Sequence, residues 1–145
     1  MVLFILIEYG IAIEDNELRS VRTYADASVY GGVYDEEFAD VSVKFFDQVR
    51  TGRFLLVVSS LVRDELTTAP TEVKADFDRW LTYADIVDIT EEAINLRRNY
   101  IDAGIVTKRS LADALHVAIA TVMDCSLIVS WNFPTYRAFR KDTAI

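Results

Sequence analysis

Phe54-Leu55-Leu56-Val57-Val58-Ser59-Ser60-Leu61-Val62-Arg63-Asp64-Glu65 is the stretch that decides the architecture of this chain. Its first five residues are apolar without a polar alternate, as a strand buried on both faces requires. Ser59 or Ser60 then offers a hydroxyl to the free amides of a first helical turn, so the strand passes at once into a short helix carrying Glu65. A strand covered on both sides and continued by a helix is the building unit of a parallel sheet layered between helices.

The same alternation extends both ways from this unit. Upstream, Val21 to Ala25 reads as a short strand that ends on Asp26, and Tyr30-Gly31-Gly32 reads as a turn. Asp35 is placed to cap a helix reaching about Arg50, with Phe38, Val41, Phe45, Phe46 and Val49 on one face at helical spacing. Gly52 stops that helix. Downstream, the Glu65 helix ends near Ala69-Pro70. Thr71 caps the next one, whose buried stripe is Val73, Phe77, Trp80 and Leu81. Ile86 to Ile89 reads as a third strand, and Thr90-Glu91-Glu92 opens a helix running to Gly104. Ser110 caps a further helix, Leu111 to Met123, with Leu111, Leu115, Ala118, Ile119 and Val122 inward. Leu127 to Ser130 is the fourth strand of the set, left through Trp131-Asn132-Phe133-Pro134, and the chain from Thr135 is read as one more short helix. The expected fold is an α/β/α sandwich with a central parallel sheet. No repeat, linker or low-complexity tract divides residues 1–145, so a single domain is expected.

Residues 1–20 stand apart from this pattern. Met1 to Ile7 is apolar, but no positive charge precedes it and Glu8 follows at once, unlike a secretory signal. Two readings stay open. One is an extra strand with Glu14-Asp15-Asn16-Glu17 as the polar loop behind it. The other is an atypical amino-terminal extension ahead of a natural start near Val21.

Bulk properties narrow the function classes. At 145 residues and 52% hydrophobic content, with a mean hydropathy of +0.18, the chain can bury a substantial core and is not a disordered segment. No stretch approaches the length of a membrane span. The single cysteine, Cys125, excludes an internal disulfide and suits a reducing cytoplasm. Its place at the end of an apolar helix marks it as a buried structural thiol. His116 is the only histidine, so chemistry needing two is excluded, and no Gly-x-Ser-x-Gly elbow points to a serine hydrolase. The net charge of −8 argues against a broad basic face that clamps nucleic acid. It leaves open a nuclease in which acids hold metal ions and the metal ions meet the phosphate.

Three acids, Asp26, Glu65 and Asp113, lie beside apolar runs read as strands or their helices. In an open parallel sheet, function collects outside the carboxyl ends of the strands, so acids repeated there are expected to converge. Two carboxylates about 4 Å apart repel by roughly 4 kcal/mol at an effective dielectric near 20, so three together call for a cation. Oxygen donors favour Mg²⁺ or Mn²⁺ over zinc. Asp64 and Glu65 differ by about 100° around a helix, so only one of them can face such a site. His116 shares a face with Asp113 at i+3, and a packing and hydrogen-bonding role is expected for it. Arg97-Arg98 and Lys108-Arg109 read as solvated pairs, and Trp131 and Phe133 as packing residues.

Four segments in order resemble the PIN domain family, the metal-dependent nuclease fold of VapC-like toxins. They are Tyr24-Ala25-Asp26-Ala27-Ser28-Val29, Ser59 to Leu66, Ser110 to Ala120, and Leu127-Ile128-Val129-Ser130-Trp131-Asn132-Phe133, and together they span roughly residues 21 to 140. The resemblance implies Asp26, Glu65 and Asp113 as the acidic metal ligands, Ser28 as a polar helper beside Asp26, and Asn132 in the fourth position. It implies a Mg²⁺- or Mn²⁺-dependent endoribonuclease that hydrolyses RNA phosphodiester bonds and leaves a 5′-phosphate. It also implies the setting: a cytoplasmic toxin of a toxin–antitoxin pair, homodimeric, with RNA as substrate and a small antitoxin protein as partner. The fourth position is often an aspartate in that family. Asn132 removes one negative charge there, so one firmly held metal is expected, with a second weak or recruited by the substrate and room for a low turnover. The alternative is a catalytically silent PIN-fold protein that acts by binding protein or RNA. A phospho-aspartate mechanism at Asp26 is disfavoured, because that chemistry wants an acid two residues on and this chain has Ser28.

Overall fold

Five strands form one sheet in the computed structural model, which describes residues 3–5, 20–106 and 110–132. They are β1 (Leu3–Ile5), β2 (Val21–Ala25), β3 (Phe54–Ser59), β4 (Ala84–Val87) and β5 (Leu127–Val129), in the order β1-β5-β2-β3-β4. Every pairing is parallel. The helices are α1 (Ala27–Gly32), α2 (Ala39–Arg50), α3 (Ser60–Glu65), α4 (Thr71–Trp80), α5 (Glu91–Asp102) and α6 (Leu111–Val122).

The continuous apolar run of β3 has the cause expected of it. Leu56, Val57 and Val58 are all fully buried, and consecutive side chains point to opposite faces, so both faces are covered over that stretch. Burying each is worth about 1.5–3 kcal/mol over leaving it exposed. Leu55, near the start of the strand, is 47% exposed, against the expectation for the whole run. α2 buries Phe45, Phe46 and Val49 and packs on β3, where Phe45 meets Phe54, while the nearly all-apolar α6 packs on β5 and against α5.

From β2 the chain steps outward through α1 and α2 to β3, then through α3 and α4 to β4. It next returns through α5 and α6 to β5, on the other side of β2. The direction of winding therefore reverses between β2 and β5. That crevice, at the carboxyl ends of the two strands, is where a sheet of this kind leaves room for a ligand.

Several local expectations are corrected. Tyr30-Gly31-Gly32 is not a turn but the end of α1, which Asp26 caps by accepting from the Ser28 amide at 3.1 Å. Gly32 is there because a Cβ would lie 2.3 Å from both Ser42 Oγ and Trp131 Nε1. Asp35 does not cap α2. Its Oδ1 accepts from the Glu37 amide at 2.8 Å and shapes the preceding turn, and α2 starts at Ala39 after Phe38 with no side-chain cap. Thr71 is the first residue of α4, which follows Pro70, and Ser110 stands at the cap position of α6 without a capping bond. Ser59 and Thr90 do cap, accepting from the Val62 and Ala93 amides. Gly52, at φ +86°, ends α2 as expected.

The third strand lies at Ala84–Val87 rather than Ile86 to Ile89. A 3₁₀ turn over Leu81–Tyr83 tightens the end of α4, and the chain enters the sheet with Ala84 opposite Leu56. As an edge strand β4 is only partly covered, with Ile86 49% exposed, so its apolar pattern is a weak register signal. At the other edge, the backbone of Leu3–Ile5 adds beside β5, so the extra-strand reading of the amino terminus holds for those residues. The expected Glu14–Glu17 loop, Lys108-Arg109, Phe133-Pro134 and the helix from Thr135 lie outside the described residues. Cys125 is buried as expected, and burial pushes its thiol up to about 11. No helix among the described residues is long and apolar enough to cross a membrane.

Candidate active site

Asp26 leaves β2 at the reversal point, 4% exposed, and its carboxylate is held from three directions. Oδ1 accepts from the Ser28 amide at 3.1 Å and the Ser28 hydroxyl at 2.5 Å, and Oδ2 accepts from the Ser130 hydroxyl at 2.6 Å. Each serine is itself tied to the chain leaving β5. Ser28 Oγ accepts from the Trp131 amide at 3.0 Å, and Ser130 Oγ accepts from the Asn132 amide at 2.9 Å. Asn132 then donates through Nδ2 to Asp113 Oδ2 at 3.2 Å. Asp26, Ser28, Asn132 and Asp113 are thus brought into one hydrogen-bonded group, although their positions in the chain span residues 26 to 132.

Glu65 reaches this region by another route. His116 stands one turn beyond Asp113 on α6 and is 1% exposed. Its Nε2 lies 2.5 Å from Glu65 Oε1, and its Nδ1 lies 2.5 Å from the Tyr24 hydroxyl. The Tyr24 hydroxyl is also 2.7 Å from Ser59 Oγ, which accepts from the Val62 amide at 3.2 Å. Counting donors assigns the directions for a neutral ring. An ionised Glu65 only accepts, so Nε2 carries the proton and Nδ1 accepts from Tyr24. Tyr24 in turn accepts from the Ser59 hydroxyl. Burial raises Tyr24 well above the usual phenol value, with Asp26 and Glu65 adding to the effect, so the hydroxyl stays protonated and able to donate.

His116 therefore has the hydrogen-bonding and packing role expected of it. No motif in the sequence places Tyr24, Ser59 or Ser130 at the site. A faint signal existed for Tyr24, which is two residues before Asp26 and so on the same side of the strand. Trp131 is a packing residue: it is 7% exposed, stacks parallel on Phe38, and donates its indole N–H to Ser42.

The donors suit a hard divalent cation in kind, since Asp26, Asp113, Glu65 and the Asn132 carboxamide all offer oxygen. Their placement is less complete. Among the described residues no three Asp, Glu, His or Cys side chains are gathered closely enough to hold a metal. Glu65 commits Oε1 to His116, which leaves Oε2 as its other oxygen.

No family model and no curated protein sequence matches the chain. Among solved structures it is similar to a chain of VapBC2 from Rickettsia felis, determined bound to a DNA fragment from their promoter. The TM-score is 0.59 at 15% identity, over 81% of this chain and 93% of that one. This likeness shows the fold, a PIN-like α/β/α sandwich about a parallel sheet.

Proposed function

We propose that this protein is a metal-dependent endoribonuclease of the VapC kind, the toxin of a toxin–antitoxin pair. The observation that carries the reading is the bonded group Asp26–Ser130–Asn132–Asp113 at the carboxyl ends of β2 and β5, where the winding of the sheet reverses. Its PIN-like fold supports the reading, as does the fact that the similar solved structure is a toxin–antitoxin complex. The setting that goes with it is cytoplasmic, with a homodimer restrained by a small antitoxin protein and RNA as the substrate.

Asp26, Asp113 and Glu65 would hold Mg²⁺ or Mn²⁺, with Asn132 as a neutral neighbour. Such an ion, when bound, supplies an activated water and stabilises charge on a phosphate under in-line attack. The chain's own residues do the positioning. Ser28 and Ser130 fix both oxygens of Asp26 and lock them to the backbone after β5. Asn132 orients Asp113 without adding a third charge to the pair. His116, held by Tyr24, fixes Glu65 from behind. RNA cleavage should require Mg²⁺ or Mn²⁺, leave 5′-phosphate ends, and disappear in Asp26→Asn and Asp113→Asn. Cleavage that survives both substitutions, or persists in chelator, would sink the assignment.

A second reading is a PIN-fold protein that acts by binding alone. Glu65 turned to His116 and an asparagine at position 132 favour it. Calorimetric titration separates the two, since the binding-only protein takes up no divalent metal above background.

A further inference from the structure

Beside the bonded acids lies an open groove of about 470 Å³, and it shares Ser28 and Asn132 with them. Its remaining wall comes from Gly31, Gly32, Asp35, Phe38 and Trp131, and among its described lining residues there is no lysine or arginine. Asp35 is the one charged group among the described lining residues, and its carboxylate suits a partner that donates hydrogen bonds. The groove is large enough for a planar base, and Phe38, half-buried and parallel to Trp131 at 5.3 Å, gives it an aromatic side. Unstacked bases of single-stranded RNA are held in this manner, on aromatic surface with polar groups at their Watson–Crick edge.

Resting on the ribonuclease reading, we propose that this groove receives a guanine base next to the phosphate to be cut, and that Asp35 reads it. The Asp35 carboxylate is exposed and only accepts. Its Oδ1 is steadied by the Glu37 amide at 2.8 Å, and each carboxylate oxygen has a further lone pair. Guanine alone presents two adjacent donors, N1–H and the N2 amino group, and can meet both oxygens. Adenine and cytosine place a ring acceptor beside their amino group, and uracil flanks its single N–H with carbonyls. Those acceptors would face the carboxylate's negative charge. Asn132 lines the groove and bonds Asp113, so the base and the neighbouring phosphate would be set in one register.

Nuclear magnetic resonance titration with the four 5′-mononucleotides tests the base site without requiring catalysis. Guanosine monophosphate should shift the Gly31 amide and Trp131 indole signals and bind about tenfold or more tighter than the other three, the scale of one good bidentate pair. Asp35→Asn, which keeps an acceptor for Glu37, should erase most of that preference. Gly31→Leu should abolish binding while keeping the fold, because an added Cβ at Gly31 meets nothing within 4 Å. Equal affinities for the four nucleotides, or shifts confined to residues away from the groove, overturn the proposal. A second arm digests random-sequence RNA with Mg²⁺ and sequences the new ends, where guanine should be enriched at one position beside the cut and lost in Asp35→Asn. Guanine-selective binding without cleavage leaves the guanine site standing and removes the ribonuclease reading. Cleavage without guanine preference in either arm does the reverse.

Discussion

Replacing Tyr24 with phenylalanine deletes one hydroxyl that is fully buried and holds two partners, His116 Nδ1 at 2.5 Å and Ser59 Oγ at 2.7 Å. Both partners are themselves buried, at 1% and 0% exposure, so neither can turn to water. An orphaned buried polar group costs about 1–3 kcal/mol, and Ser59 keeps its bond to Val62, so the change should cost about 2–4 kcal/mol. For a chain of this size that is a fall in Tm of roughly 5–15 °C. Tyr30 supplies the contrast. It is 1% exposed, but its hydroxyl has no hydrogen-bond partner among the described residues. Tyr30→Phe should therefore be neutral or stabilising by about 1 kcal/mol. The two tyrosines also share a pH signature. Burial raises both above the ordinary phenol value, so the folded state keeps protons that the unfolded state gives up. Their contribution is complete below about pH 10 and falls as pH rises beyond it, by up to about 1.4 kcal/mol per pH unit per tyrosine. Urea titrations of wild type and both variants between neutral and alkaline pH measure all of this. Equal costs for the two substitutions, within about 0.5 kcal/mol, would refute the hydrogen-bonded chain as drawn. So would an alkaline slope that neither variant reduces.

Gly32→Ala forces a methyl group to within 2.3 Å of Ser42 Oγ and the Trp131 ring, and should destabilise by about 1–3 kcal/mol in the same urea assay, whereas Gly31→Ala should not. Asn132→Asp replaces the donor to Asp113 with a like charge, so the metal-free protein should melt lower. The same variant should bind Mn²⁺ about two- to fivefold more tightly by calorimetry, the scale of one exposed charge.

The sandwich was readable because its determinants are local. The unbroken apolar run of β3, its passage into α3 at Ser59, and the apolar α6 each declare burial within a dozen residues. Asp26 and Asn132 could be placed on one crevice, since residues at the carboxyl ends of neighbouring parallel strands face it. The expected three-acid cluster of Asp26, Glu65 and Asp113 is not gathered among the described residues, because Glu65 is turned to His116. Short, weakly patterned pieces were not readable. α1 ends in two glycines that resemble a turn, and its helical state depends on Asp26 capping it and on Trp131 and Ser42 closing over Gly32. The edge strand β4 took its register from β3 and not from its own half-exposed side chains.

By itself, then, the sequence determined the layers, the parallel sheet and which acids lie beside its strands and their helices. Only the tertiary structure decided how those acids are held. Glu65 meets a histidine 51 residues away, Tyr24 meets one 92 residues away, and Ser130 meets an aspartate 104 residues away. Such partners are chosen by the strand order that sets β5 beside β2, and no periodicity within one segment carries that information.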